Sequence, residues 1–191
     1  MKRIAVFASG NGSNFEKITE ATKEGRIPDC EVVLCVCDRP GAYVIQRATR
    51  HGVPVLEFRP RDFESKRDFE RLIADRMDEL DVDLVCLAGY MRIIGDELLN
   101  RYHGRIINLH PALLPAFPGA HSIRDAFEYG VKVFGITIHY VDETLDGGKI
   151  IAQKAIPYDG KDIAELEDMI HTEEHRLYPE VIARLLKNEL N

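Results

Sequence analysis

A strand and the loop that leaves it are predicted by the stretch Ile107-Asn108-Leu109-His110-Pro111-Ala112-Leu113-Leu114-Pro115. Side chains alternate between the two faces of a strand, so Asn108 and His110 are expected to point to the same face. Pro111 lacks the N–H that would continue a hydrogen-bond ladder, so the strand is expected to end at His110. The proline-rich segment 111–119 should then lie over the pocket that the two polar side chains line. Open α/β sheets bind ligands at strand ends of this kind.

Length and composition predict a single globular domain spanning residues 1–191. Of the 191 residues, 45% are apolar and 30% charged, which suffices for a substantial core. The formal charge of -7 comes without a basic block, so a small molecule is expected as the partner, not nucleic acid or a membrane. The opening apolar run, Ile4 to Ala8, has five residues and is shorter than the roughly 7 to 15 of a signal-peptide core. No stretch approaches the ~20 apolar residues of a membrane span. A cytoplasmic protein is expected, and a homodimer is left open.

Alternating apolar strand and helix patterns predict a mostly parallel α/β sheet with helices on both faces. The clearest predicted helix covers residues 61–80. One apolar stripe recurs along it at three- and four-residue spacing and is expected to be core: Phe69, Leu72, Ile73, Met77 and Leu80. Parallel strands are predicted at five places: residues 2–8, 31–37, 53–57, 83–87 and 105–109.

The pattern changes after Gly130, where residues 133–141 and 149–156 predict a hairpin appended to the sheet. A last helix is predicted from about Asp162 to the C-terminus, interrupted or restarted at Pro179. The cysteines lie mostly in apolar runs without Cys-x-x-Cys spacing, so reduced core residues are expected rather than disulfides or structural zinc: Cys30, Cys35, Cys37 and Cys86.

The first strand leads into Ser9-Gly10-Asn11-Gly12-Ser13-Asn14, and a helix is predicted from Phe15. Glycines allow a tight turn and close approach of a ligand, and free amides at a helix N-terminus attract an anion. The dinucleotide fingerprint fails because Phe15 stands where its third glycine belongs, so a single phosphate fits better than a pyrophosphate. The alternative interpretation is a plain turn in which Ser13 or Asn14 caps the helix.

Asn108 and His110 acquire a definite chemical use if a carboxylate joins them. Asp146 is the candidate, because the turn sequence Leu145-Asp146-Gly147-Gly148 could fold over the same sheet edge. A carboxylate beside His110 would raise the pKa of its imidazole, and the imidazolium with the Asn108 amide could stabilise an oxyanion. The three residues predict acyl transfer without a covalent intermediate, although each also has an ordinary structural explanation.

A competing pattern lies near the C-terminus, in His171-Thr172-Glu173-Glu174-His175. It matches the H-x-x-E-H spacing of inverted zinc peptidases. Only 16 residues follow His175, which leaves little room for a third ligand, so a solvated helix face is the preferred interpretation and no metal is expected.

Four ordered motifs make nearly the whole chain resemble the folate-dependent phosphoribosylglycinamide formyltransferases of purine biosynthesis. They are the segments 10–14, 88–94, 108–115 and 145–148. The resemblance implies a Rossmann-like formyltransferase fold, 10-formyltetrahydrofolate as co-substrate, and no metal. It implies that His110 is the proton donor, that Asp146 raises the pKa of His110, and that Asn108 stabilises the oxyanion.

Binding residues also carry over from the resemblance. The substrate phosphate would meet Gly12, Ser13 and Asn14, and its ribose and glycinamide end would meet the segment from His171 to Glu174. The implied folate contacts are Lys66, Met91, Arg92, Ile93, Ile94, Asn108, Asp142, Glu143, Thr144, Leu145 and Asp146. The family commonly has arginine in place of Lys66 and glutamine in place of His171.

Two other functions remain open from the sequence. One is a formyltetrahydrofolate deformylase, in which water replaces the amine as acceptor; that family usually has an extra N-terminal domain, whereas the first strand here is expected at Lys2. The other is a non-catalytic protein that binds a phosphorylated ligand. The intact set of Asn108, His110 and Asp146 favours catalysis over the second alternative.

Overall fold

The computed structural model describes residues 1–188 and contains one seven-stranded sheet flanked by helices. The elements follow in the order β1 (Lys2–Phe7), α1 (Ser13–Lys23), β2 (Cys30–Cys37), α2 (Tyr43–His51), β3 (Val55–Glu57), a 3-10 turn (Pro60–Asp62), α3 (Lys66–Glu79), β4 (Leu84–Leu87), α4 (Asp96–Arg101), β5 (Ile106–His110), α5 (Ser122–Tyr129), β6 (Val133–Tyr140), β7 (Ile150–Pro157) and α6 (Ile163–Leu186).

The strands lie in the order β3-β2-β1-β4-β5-β6-β7. The five strands from β3 to β5 are parallel, β6 is antiparallel to β5, and β7 completes the predicted hairpin with β6. The chain passes from β1 outward to β2 and β3, then returns to place β4 on the other side of β1. The crevice at the carboxyl ends of β1 and β4 is therefore a topological switch point, where open α/β sheets bind ligands. The α/β, mostly parallel fold is confirmed.

Two apolar cores cover the two faces of the sheet. One lies under α1, α2 and α6 and includes Phe15, Ile18 and Tyr178; the other lies under α3 and α4 and includes Phe69 and Met77. Strands β2 and β4 are buried on both faces along nearly their whole length, which explains their nearly continuous apolar sequences. All four cysteines are buried and unpaired, as predicted. Within residues 1–188, no helix is long and apolar enough to cross a membrane.

The predicted helix 61–80 begins too early. Residues 60–62 form a separate 3-10 turn, and α3 starts after Ser65, whose side chain accepts a hydrogen bond from the Asp68 backbone N–H. A serine at the N-cap position accepts a hydrogen bond from a first-turn amide that has no partner within the helix, so the helix begins directly after it. Leu72 is 42% exposed, so the expected apolar stripe was wrong at this residue, while Phe69, Ile73 and Met77 are buried.

The predicted break at Pro179 was wrong. Helix α6 continues through Pro179 to Leu186, and the prediction for residues 189–191 falls outside the described residues. A proline inside a helix costs about 3 kcal/mol. Buried packing around it offsets this cost: Tyr178 is fully buried, and its hydroxyl donates to the backbone carbonyls of Leu87 and Ile107 at 3.0 and 3.3 Å. Tertiary contacts therefore hold α6 together where local propensity would end it.

Candidate active site

The end of β5 carries the two polar side chains that the alternation predicts. His110 is 4% exposed, while Asn108 is half-buried. Their neighbours Ile107 and Leu109 belong to the core. The strand ends at His110, as predicted, and the proline-rich segment that follows returns over the strand end, because the Phe117 carbonyl accepts a hydrogen bond from His110 Nε2 at 2.9 Å.

Asp146 reaches the same edge from the long connection between β6 and β7. One carboxylate oxygen, Oδ2, lies 3.6 Å from His110 Nδ1 and accepts a hydrogen bond from the Gly119 backbone N–H at 2.8 Å. Asp146 has a φ of 51°, a left-handed conformation that aspartate tolerates better than most residues. The structure therefore brings together Asn108, His110 and Asp146, which lie up to 38 positions apart in the sequence.

A fourth polar side chain, His139, completes this group and was missed by sequence reasoning. It lies on β6 directly opposite Asn108, so the two side chains share one face of the sheet. Its Nδ1 lies 2.8 Å from the Tyr140 carbonyl, an acceptor, which makes Nδ1 the protonated nitrogen and leaves Nε2 to accept from Asn108 Nδ2 at 3.2 Å. Burial lowers the pKa of His139, in agreement with a neutral ring. A signal was present, since Thr137 and His139 are alternate polar residues inside an apolar strand.

Thr137, the second polar residue inside β6, binds the start of the proline-rich loop. It is fully buried opposite His110, accepts a hydrogen bond from the Leu114 N–H and donates one to the Ala112 carbonyl at 2.7 Å. Gln153 on β7 reinforces this contact by donating to both Thr137 and the Leu114 carbonyl. The proline-rich loop is therefore anchored at its beginning by the hairpin.

The glycine-rich loop after β1 has the features of an anion site. The N-cap of α1 is Gly12 with a φ of 76°, and no side chain accepts from the first-turn amides, so neither Ser13 nor Asn14 is the ordinary cap of the alternative interpretation. A Cβ on Gly12 would lie 2.4 Å from a Val44 side-chain carbon, so glycine is required by contact as well as by conformation. Free amides at the start of an eleven-residue helix suit a phosphate.

Helix α6 brings the two remaining predicted substrate residues to this loop. Glu174 is 4% exposed, and its Oε2 accepts from Asn14 Nδ2 at 2.9 Å and lies 3.0 Å from His171 Nδ1. The hydrogen bond to Glu174 raises the pKa of His171. Asn14 Oδ1 is buried without a hydrogen-bond partner, as is Nε2 of His175. A buried unpaired acceptor next to free helix amides is a natural contact for a hydroxyl-bearing ligand.

The predicted folate segment follows β4 on the other side of the switch point. Met91 and Ile93 are 57% and 64% exposed, and the Arg92 side chain is also exposed. Ile94 differs, because it is 5% exposed and packs in the core, so its side chain is not available as a ligand contact. Lys66 lies at the end of this segment: its Nζ is 3.8 Å from Glu70, whose carboxylate accepts from the Gly95 N–H.

Residues 142–145 of the β6–β7 connection are exposed beside Asp146. Asp142 Oδ1 accepts from the Thr144 N–H at 2.8 Å, which shapes the turn, while Leu145 is 57% exposed. Gly148 is buried, and a Cβ there would meet the Tyr140 carbonyl oxygen at 1.8 Å, so the second glycine of the turn is needed to seat the loop against β6.

The helix pattern His171 to His175 does not gather as a metal site. Within residues 1–188, the carboxylate and imidazole groups that do converge are Glu16, Glu20 and His51. Arg47 and Arg50 pair with Glu16, so cationic side chains already neutralise that cluster. His171 instead pairs with Glu174, which also accepts a hydrogen bond from Asn14 beside the glycine-rich loop.

A switch-point α/β sheet with asparagine, histidine and aspartate side chains gathered at one strand end, beside a loop that suits an anion, fits a group-transfer enzyme of the acyl-transfer class. Residues 2–182 match the sequence model of the formyl transferases. The chain belongs to that family.

Known proteins share this sequence and fold over nearly the full chain. A phosphoribosylglycinamide formyltransferase of Bacillus subtilis is 54% identical over 187 residues, which are 97% of this chain and 95% of the relative. The crystal structure of glycinamide ribonucleotide transformylase 1 from Geobacillus kaustophilus is 51% identical, with a TM-score of 0.94 and coverage of 97% and 99%. A trifunctional purine biosynthetic protein of Drosophila melanogaster is 38% identical over 187 residues, which are 97% of this chain and 14% of that protein.

Proposed function

We propose that the protein transfers the formyl group of 10-formyltetrahydrofolate to the glycine amine of glycinamide ribonucleotide, in purine biosynthesis. The products are the formylated ribonucleotide and tetrahydrofolate. The observation that carries the proposal is the convergence of Asn108, His110 and Asp146 at one strand end. The distance between His110 Nδ1 and Asp146 Oδ2 is 3.6 Å. The names of the full-length relatives support this choice of donor and acceptor.

The reaction needs a bond to form between the amine nitrogen and the formyl carbon, and the bond from that carbon to the folate nitrogen to break. The amine attacks the carbonyl and gives a tetrahedral oxyanion; the amine then loses a proton while the folate nitrogen gains one. His110 is the proton donor. Its Nε2, which donates to the Phe117 carbonyl at 2.9 Å in this structure, donates instead to the folate nitrogen when the substrates are bound, while the Asp146 carboxylate lies beside Nδ1. The proton that the amine loses restores His110.

Asn108 supplies a second donor to the oxyanion. Nδ2 of Asn108 donates one of its hydrogens to Nε2 of His139, whose ring is neutral. This hydrogen bond orients the amide so that Nδ2, and not Oδ1, faces His139. The second hydrogen of Nδ2 remains for the substrate oxygen. Preorganised donors of this kind contribute about 3 kcal/mol each to the transition state in acyl transfer.

The ribonucleotide binds between the glycine-rich loop and α6. Gly12, Ser13 and Asn14 offer backbone amides and a side chain to the phosphate, and Glu174, already within hydrogen-bond distance of Asn14 and His171, pairs with the substrate amine. His171 contributes positive charge near the ribose and phosphate, because its pKa is raised.

The folate lies across the opposite side of the switch point. Met91, Arg92 and Ile93 present exposed side chains, Ile94 contributes its backbone, and Asp142, Glu143, Thr144 and Leu145 line the edge beside Asp146. Lys66 pairs with a folate carboxylate; its ammonium is a point charge, without the planar fork of an arginine.

The test follows 10-formyltetrahydrofolate spectroscopically with and without glycinamide ribonucleotide, in buffer that contains a chelator. Consumption only with the ribonucleotide is expected. Equal consumption without it would identify a deformylase, and no consumption in either case would favour a protein that binds a phosphorylated ligand without catalysis. Either of the last two results contradicts the proposal.

The proposed partners are these two small molecules, without nucleic acid, membrane or metal, and the proposed location is the cytoplasm. A homodimer remains to be tested by analytical ultracentrifugation of the purified protein at concentrations used in the assay.

A further inference from the structure

One buried carboxylate, Asp38, lies outside the catalytic group and is used by none of its steps. Asp38 follows β2 directly and is 3% exposed. Its Oδ1 accepts a hydrogen bond from the Ser9 hydroxyl at 2.5 Å, and its Oδ2 accepts from Arg92 Nε at 2.7 Å. A charge this deeply buried is expensive unless it has partners, so both contacts matter to the fold around it.

The two partners of Asp38 belong to the two loops that are proposed to bind the substrates. Ser9 is the last residue before the glycine-rich loop, and Arg92 belongs to the folate segment after β4. Ser9 also joins these loops directly: its N–H donates to the Gly89 carbonyl at 3.0 Å, and its hydroxyl oxygen accepts from the Met91 N–H at 2.9 Å. Asp38 therefore ties together the carboxyl ends of three neighbouring strands, β2, β1 and β4.

We propose that Asp38 is a positioning residue for the folate, and that it acts by holding the Arg92 guanidinium and, through Ser9, the Met91 backbone in the conformation that receives the co-substrate. This inference rests on the proposed function.

The physical basis is preorganisation. The Arg92 side chain is 41% exposed and, without Asp38, would have many conformations, whereas the Asp38 side chain is 1% exposed and cannot move with it. An arginine carries about 2 kcal/mol of rotamer entropy, and a bond to Nε fixes the plane of the whole guanidinium. A group that is fixed before binding does not have to be ordered during binding, so affinity improves.

The variant Asp38→Asn separates the two arms of this bridge. The amide oxygen can still accept from the Ser9 hydroxyl, but the amide nitrogen then faces Arg92 Nε, donor against donor. Loss of one charged hydrogen bond predicts about a tenfold weaker affinity for tetrahydrofolate, measured by anaerobic calorimetry, and an equal rise in the KM for 10-formyltetrahydrofolate. The KM for the ribonucleotide should stay within about twofold.

Two comparisons distinguish this role from general destabilisation. Asp75→Asn is the matched control, because it also removes an aspartate from an arginine pair, with Arg101, on the side of the molecule near α3 and α4; folate affinity should not change. In an Arg92→Met background, Asp38→Asn should add less than about a twofold effect, since the asparagine keeps the Ser9 contact and the Arg92 contact is already lost.

The inference is overturned if Asp38→Asn binds tetrahydrofolate as tightly as the wild type, if both KM values rise equally, or if its full effect persists without Arg92. If Asp38→Asn does not fold, Arg92→Met alone replaces it: unchanged folate affinity would then overturn the inference. A wild-type protein that binds no tetrahydrofolate would instead contradict the proposed function, so the two failures are distinguishable.

Discussion

Two of the histidine and carboxylate groups that the structure describes, one at the end of β5 and one on α6, are built in different ways. His110 and His139 meet Asp146 from two strands and a loop, and all three are almost completely buried. His171 and Glu174 lie three residues apart on α6, and the His171 side chain is 50% exposed. The first group is held by the sheet, while the second is held by one helix and by Asn14 alone.

The difference has a chemical consequence. Burial lowers the pKa of His139, because the charged form loses its solvation, whereas the hydrogen bond to Glu174 raises the pKa of His171. The histidine and aspartate side chains of the strand-end group are largely shielded from solvent, and hydrogen bonds to a developing charge are strongest in such an environment. In the helix group, the His171 side chain remains in contact with solvent and can pair with a charged substrate. We therefore propose that the first group carries the chemistry and that the second binds substrate.

The largest effect expected is on turnover. His110→Ala removes the proposed proton donor and should lower kcat by about 10³-fold, with the free energy of unfolding showing that the protein remains folded. His171→Ala should leave kcat within about threefold and raise only the KM for the ribonucleotide. Steady-state kinetics of the two variants in one assay check the comparison, and a comparable fall in kcat for His171→Ala would remove the distinction between the groups.

A smaller loss of turnover is expected from His139→Leu. Without the acceptor Nε2, the Asn108 amide is free to rotate, and a misplaced oxyanion donor costs up to about 10²-fold in kcat. The KM values should change little. Ile138→Val is the matched control, since it alters the same strand on the opposite face, and kcat should not respond to it. A His139→Leu protein with wild-type kcat would mean that Asn108 is positioned by other contacts.

Substrate binding should respond to the helix group. Glu174→Gln removes the charge that is proposed to pair with the amine, so the KM for the ribonucleotide should rise about tenfold while the KM for the folate stays constant. Glu173→Gln changes the neighbouring residue, which pairs with Arg176 on the surface, and should have no effect. If the two variants had equal KM values for the ribonucleotide, the substrate amine would not pair with Glu174.

The smallest effects concern stability, and they should have opposite signs in the two groups. The pKa of His139 is lowered by folding, so its contribution to stability is present above the unfolded pKa of about 6.5 and is lost as the pH falls below it. The pKa of His171 is raised, so its contribution is present below about 6.5 and is lost as the pH rises through the folded value.

Urea unfolding between pH 5 and pH 8 measures both contributions. Relative to the wild type, His139→Asn should be most destabilised at high pH and His171→Gln at low pH. The second effect should not exceed about 0.5 kcal/mol, because His171 is half exposed and solvent screens its pair. If the loss of unfolding free energy relative to the wild type had the same pH dependence in both variants, the opposite pKa shifts of His139 and His171 would be contradicted.

The same contrast explains which parts of the site can be predicted from sequence. Asn108 and His110 follow from strand alternation and a terminating proline, and Gly12 follows from a turn between a strand and a helix; all of these are local. His139 depends on the antiparallel register that places it opposite Asn108, and the Ser9, Asp38 and Arg92 contacts depend on the order of β2, β1 and β4. No short-range pattern encodes these pairings.

Errors in the predicted fold have the same origin. The start of α3 at Ser65 and the exposure of Leu72 depend on where one turn ends and which side of the helix faces the sheet. The passage of α6 through Pro179 depends on Tyr178, whose hydroxyl bonds to strands about 70 and 90 positions away in sequence. Local preference was a good guide to the elements and a poor one to their ends.

Direct formyl transfer by the strand-end group is the central claim, and a single turnover with labelled co-substrate tests it most directly. Excess protein would be mixed with glycinamide ribonucleotide and 10-formyltetrahydrofolate labelled with ¹³C in the formyl carbon, then quenched over time and analysed by mass spectrometry. The label should pass from the folate to the ribonucleotide amine without appearing on the protein, and His110→Ala should abolish this transfer. Label released as formate, or found covalently attached to the protein, would contradict the account.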